Sequence, residues 1–286
     1  MASMDFSVEK SRNICYDMKN IQWNQEAYME NRITLKHGQL EIPCKINVPD
    51  YAEIRRVVLS VHGLGGCMED EIQVGIAEEM ELFYSATVRF DFPCHGESPA
   101  DNNVLMLQPC REALMAAARY AKEAFPEVND LCIFATGFGA YMTLLCLEEL
   151  LELPGKVKLV VQTPSVRMHE TILAMKRINR ETLWAMDSVT FRTPRPFELT
   201  YKFYEELAEN IVFTTHPIPM LILHGEEDQF IRNSDIQQFN RINETSKLVI
   251  IPGTSHRFLE DGAWDMVLDL TRDWFEFEQV LCCDWE

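Results

Sequence analysis

The segment FATGFGA (Phe134 to Ala140) closes the apolar run DLCIFAT (Asp130 to Thr136) and opens a stretch whose apolar residues recur at helical spacing through Tyr141, Leu144, Leu145, Leu147 and Leu150. A buried strand that feeds a helix through Ala135, Thr136, Gly137, Phe138 and Gly139 has the small-x-nucleophile-x-small spacing of a sharp strand-to-helix turn, whose central residue is presented at the tip. That central residue is Gly137, which carries neither hydroxyl nor thiol. A turn of this kind holds its central residue at positive φ, a region glycine enters without steric cost, so Gly137 is compatible with the fold while removing the attacking group.

Working outward, VVLSVHGLGG (Val57 to Gly66) and ATVRFDFPCHGES (Ala86 to Ser98) are apolar runs that end in glycine-containing loops, as buried parallel strands do. PMLILHGEED (Pro219 to Asp228) and KLVIIPGTSH (Lys247 to His256) have the same form, and each ends in a titratable residue. Asp228 follows Gly137 in the chain and His256 follows Asp228, giving the order nucleophile slot, acid, base. Strands alternate with helical runs near Met80 and over Leu107 to Phe125, which predicts an α/β fold with a mostly parallel sheet covered by helices on both faces. Ile33 to Val48 alternates around Gly38 and reads as an antiparallel hairpin leading into that sheet.

The pieces VHGLGG, TVRFDFPCHGES, the Gly137 turn, LHGEEDQFI (Leu223 to Ile231) and GTSHRF (Gly253 to Phe258), spread over Ile33 to Phe275, resemble the α/β-hydrolases of the serine-aminopeptidase-like group. Within that group the chain is most similar to bacterial cinnamoyl (feruloyl) esterases. The resemblance implies a carboxylic ester or amide as substrate, Asp228 as the acid, His256 as the base, and the backbone N–H groups of Leu64 and Phe138 as an oxyanion hole. Gly137 departs from the pattern at the nucleophile, and without a hydroxyl no acyl-enzyme forms. Three readings stay open: a hydrolase whose serine was replaced, a non-catalytic protein that binds a small ligand in the old pocket, and an enzyme that uses Asp228 and His256 on water or a substrate proton without a covalent step.

Other reactive side chains have plainer expectations. Thr136 sits one residue before the tip and reads as strand-end structure, and Cys67 and Cys94 read as small buried hydrophobes. His62 and His95 belong to glycine loops and are expected to shape them; His37, His169, His216 and His224 are expected to be ordinary structural residues. The segment 164–217 is too long for one crossover helix and reads as a cap. Its Trp184, Met186 and Phe191 are candidates for an apolar wall over the site, and at least half of the wider set with Phe197, Tyr201, Phe203 and Tyr204 is expected to pack the cap against the body.

A chain of 286 residues with 47% hydrophobic content can bury one large core, so residues 30–286 are expected to form one domain behind an N-terminal extension over 1–29. A net charge of −19 argues against nucleic acid and anionic membrane as partners, leaving a small-molecule ester or amide substrate or ligand, and is compatible with a homodimer. Nine cysteines, an odd number that includes the adjacent Cys282 and Cys283, do not form a disulfide framework and suit a reducing cytoplasm. The first residues lack the apolar core of a signal peptide and no run is long enough to span a bilayer. No Cys/His cluster has zinc spacing and no GxGxxG is present, so neither metal nor dinucleotide cofactor is expected.

Overall fold

The expected hairpin around Gly38 forms β1 (Glu30–His37) and β2 (Leu40–Asn47), paired antiparallel with His37 opposite Leu40. In the computed structural model, residues 30–50, 53–99 and 103–278 are described; the N-terminal extension 1–29 and the pair Cys282 and Cys283 lie outside them. The apolar runs then give β3 (Arg56–Val61), helix α1 (Glu71–Leu82), β4 (Ser85–Phe90), α2 (Leu107–Ala124) and β5 (Asp130–Thr136). From the Gly137 turn the chain continues into α3 (Gly137–Leu145), α4 (Leu147–Leu151) and β6 (Lys156–Gln162). The helical run expected through Leu150 is thus two helices, because Cys146 caps α3 at φ −94° and ψ 6° and starts α4.

After β6 comes the segment expected to be a cap, built from α5 (Met168–Lys176), α6 (Arg180–Met186), the hairpin β7 (Ser188–Phe191) and β8 (Phe197–Thr200), and α7 (Tyr201–Glu209). Asn179 and Thr200 begin α6 and α7 by accepting the amides of Thr182 and Phe203, at 2.8 and 3.1 Å. The body resumes with β9 (Met220–Gly225), α8 (Asn233–Ile242), β10 (Lys247–Ile251) and α9 (Ala263–Phe277).

The eight strands of the body lie in the order β1-β2-β4-β3-β5-β6-β9-β10. From β4 to β10 every pairing is parallel, while β1·β2 and β2·β4 are antiparallel. Every residue of β3, β4 and β9 is buried, as strands covered on both faces require. Alternation along β3 splits the core in two: Val57, Leu59 and Val61 join the larger cluster with α2, α3 and α8, whereas Val58 joins a smaller one with Ile76 of α1 and Trp274 of α9. Because β4 and β5 flank β3 on opposite sides, the strand order reverses there, and the carboxyl ends of β3 and β5 border the crevice where sheets of this kind bind ligands.

Candidate active site

At the carboxyl end of β5 the backbone of Gly137 turns through φ +48° and its carbonyl accepts the Ser165 amide at 3.3 Å. A Cβ built on Gly137 would meet nothing nearer than the Gly63 Cα at 3.9 Å, so the tip has room for a Cβ. Gly139 is the opposite case: its Cβ would stand 2.4 Å from the His62 carbonyl oxygen and 2.7 Å from that of Val61, because α3 presses directly on the end of β3. The small residue after the tip is there for packing, and the one at the tip is not.

The loop after β3 lies beside this open corner. The Gly63 carbonyl accepts from His62 Nδ1–H at 2.8 Å and from the Gly66 amide at 3.1 Å, while His62 Nε2 accepts the Phe92 amide at 3.1 Å. A trans peptide points its N–H away from its C=O, so two donors on the Gly63 oxygen also fix the direction of the Leu64 N–H. Phe138, buried edge-to-face against Phe92 at 5.6 Å, places its own N–H in the first turn of α3, where no intrahelical acceptor exists. Burial pushes His62 down to about 4, which keeps it neutral and suits the loop-shaping role expected for it.

Asp228 and His256 meet at the ends of β9 and β10. His256 Nδ1 donates to Asp228 Oδ2 at 2.7 Å, and Asp228 Oδ1 accepts the amides of Phe230 and Ile231 at 2.8 and 2.9 Å. Burial alone would push the Asp228 carboxyl upward; the hydrogen bond from His256, the imidazole's charge and the two amides outweigh it and hold the group below the ordinary carboxylate range. The two loops are clamped to each other: the Glu227 amide donates to Thr254 O at 2.9 Å, and Gly253 N–H donates to the Glu226 carboxylate at 3.0 Å. Phe230 closes one side of the imidazole with an edge-on ring at 5.1 Å.

The cap reaches this region through its hairpin turn. The Arg195 guanidinium donates to the carbonyls of Ser98 and Gly96, and the Thr193 methyl occupies the space where a Gly65 Cβ would be, 2.4 Å away. Of the expected wall residues, Phe191 is buried in a stack on Phe197 at 5.3 Å, while Trp184 and Met186 are 68% and 55% exposed. Phe197, Phe203 and Tyr204 are buried as cap packing. Thr136 Oγ1 rests 3.3 Å from where a Gly63 Cβ would stand, Cys94 is buried, and the Cys67 thiol is pushed up to about 11 by partial burial, which keeps it protonated. Among the described residues no group of three or more metal-ligating side chains is clustered, and no helix is long and apolar enough to cross a membrane.

No protein-family model matches the chain, and no curated protein matches it in sequence. Solved structures match it in architecture. Est1E from Butyrivibrio proteoclasticus, in a structure with ferulic acid bound, superposes with a TM-score of 0.74 at 19% identity, over 87% of this chain and 99% of that one. Mouse alpha/beta hydrolase domain-containing protein 10 gives 0.67 at 14% identity, over 87% and 100%, and dienelactone hydrolase from Anabaena variabilis gives 0.58 at 16%, over 87% and 97%. The chain has the α/β-hydrolase fold. The turn after β5 joins that strand to α3 through Gly137, which carries no reactive atom.

Sequence reasoning brought Gly137, Asp228, His256, Leu64 and Phe138 to the loops at the carboxyl edge of one α/β-hydrolase sheet. It passed over Arg195 and Thr193 of the cap turn, which touch the site's loops, and His224, buried beside Asp228. The cap turn RTPRP carried a signal in its two prolines and two arginines; His224 carried none beyond its place in HGEED.

Proposed function

We propose that the chain is an α/β-hydrolase of the carboxylic ester or amide type that keeps the carbonyl-binding and acid–base parts of its site and lacks the nucleophile. The observation that carries this is the contrast at the elbow: Gly137 has room for a Cβ, and a 2.7 Å Asp228–His256 pair stands on the loops that supply acid and base in this fold. A substrate carbonyl over Gly137 would direct its oxygen to the N–H groups of Leu64 and Phe138, which stabilise negative charge on it. Asp228 accepts from His256 Nδ1–H and so orients the imidazole with Nε2 as the basic atom, and His256 acts as general base on whatever donor occupies the tip.

With Gly137 at the tip that donor is water, no acyl-enzyme forms, and hydrolysis is very slow or absent. In serine proteases the oxyanion hole and substrate binding alone keep roughly 10³–10⁴-fold catalysis over water, which sets the ceiling expected here. The likeness to Est1E, solved with ferulic acid bound, makes hydroxycinnamoyl esters the first substrates to try. Cytoplasmic residence belongs to the same proposal, supported by six cysteines among the described residues that are all free thiols.

The test is Gly137→Ser, assayed beside the unaltered chain on short acyl and hydroxycinnamoyl esters, with mass spectrometry for an acyl adduct on the new serine. A folded variant that gains ~10³-fold or more in kcat/KM and traps an acyl group supports the reading. A folded variant with no gain and no adduct overturns it, as does rapid hydrolysis by the unaltered chain.

A further inference from the structure

His224 is the last residue but one of β9, has no exposed side-chain surface, and lies with Nδ1 4.0 Å from Asp228 Oδ2, the oxygen that His256 engages at 2.7 Å. Among the described residues neither of its ring nitrogens has a hydrogen-bond partner of normal geometry. The Ile231 backbone is close enough to favour a charged ring without making such a bond. Leaving a buried imidazole unpaired costs free energy, and such a group calls for an explanation.

We propose that His224 is a positioning residue for the Asp228–His256 pair: a neutral imidazole that turns its Nδ1–H toward Asp228 and tempers the carboxylate as an acceptor. Burial keeps the ring neutral, with Asp228 opposing that effect and His256 reinforcing it; these two are the titratable groups that act on it. A neutral ring can face the carboxylate with either an N–H or a lone pair. The anion selects the N–H, because in a buried site a dipole aimed at a full charge is worth more than one aimed at a neutral backbone carbonyl. Oδ2 is then shared unequally, with a short bond from His256 and a longer charge–dipole interaction from His224. Oδ1 is occupied by its two amides, so the carboxylate has little freedom to rotate away. His224 therefore limits how strongly Asp228 pulls on the His256 proton.

This rests on reading Asp228 and His256 as an acid–base pair, but its test needs no turnover and so can fail while that reading stands. The uniformly 15N-labelled full chain is examined by NMR between pH 6 and 8, with His224→Leu and His224→Asn beside it. In the unaltered chain the ring-nitrogen shifts of His224 are expected to report the neutral tautomer protonated at Nδ1. In His224→Leu the His256 Nδ1–H resonance moves to lower field as Asp228 becomes the stronger acceptor, and His224→Asn, whose amide N–H stands near the place of Nδ1, returns it toward its original position. The Nε2–H tautomer in the unaltered chain overturns the proposal, a measurement that stands even where His224→Leu does not fold. An unmoved resonance in folded His224→Leu overturns it too, as does an equal displacement in both variants, which would mark a packing effect.

Discussion

At the ends of β9 and β10 the Asp228 carboxylate takes three hydrogen bonds, two from backbone amides, whereas at the end of β5 the elbow turns through a residue with no side chain and open space where one would go. Both corners belong to one sheet edge, and under the proposed function only the second lacks its functional atom. The acid–base corner is held by bonds internal to the β9 and β10 loops, none of which involves Gly137. The placement of the imidazole therefore does not depend on which side chain stands at position 137.

The sharpest way to break that comparison is to couple the corners. In the Gly137→Ser background, adding Asp228→Asn should lower kcat by ~10⁴-fold with little change in the substrate's KM, as in proteases where the orienting carboxylate is neutralised. Equal rates with and without Asp228 would show that the pair does not serve the elbow. Next in size is packing at the elbow itself. Gly139→Ala drives a methyl into the carbonyls of His62 and Val61 and should cost about 3 kcal/mol in denaturant unfolding. Gly137→Ala meets no such wall and should cost only about 1 kcal/mol, the strain of a Cβ at φ +48°. Equal losses at the two positions would remove the distinction between a glycine kept for space and one that is not.

Acid stability sharpens the contrast between shaping and working histidines. Burial holds His62 at about 4 and His95 at about 3, both below the ordinary 6.5, so the unfolded chain binds these protons first as pH falls. Their stabilising contribution is complete above about 6.5 and is lost as pH drops toward about 4 and then about 3. Asp91 acts in the opposite sense: burial raises it from 3.8 to about 6, so its protonation returns some stability across that interval. Two imidazoles outweigh one carboxyl, and the melting temperature should fall by at least ~5 °C between pH 7 and pH 4.5. A flat or rising profile would contradict the neutral, loop-bracing roles of His62 and His95. The smallest effect is expected at the cap: Arg195→Ala should speed amide exchange in the Pro93 to Ser98 loop while changing global stability by about 1 kcal/mol.

The body of the fold was legible because its strands are buried on both faces and so spell continuous apolar runs, each ending at a glycine or a titratable residue. Asp228 and His256 were found by chain order and motif. Their anchoring by the Phe230 and Ile231 amides was not, since backbone donors leave no mark in a sequence. The break at Cys146 escaped because apolar periodicity continues across it. In the segment 164–217, apolar character alone could not separate the exposed Trp184 and Met186 from the stacked Phe191, because all three are large and apolar and differ in what covers them. His224 received a bland reading for the same reason: what distinguishes it is a distance to Asp228.

The clearance around Gly137 has an evolutionary corollary. Glycine and serine codons can differ by a single base, and a Cβ at the elbow meets no neighbour closer than 3.9 Å. Under the proposed function, a lineage carrying this chain would cross between capturing an acyl compound and cleaving it in one mutational step, in either direction.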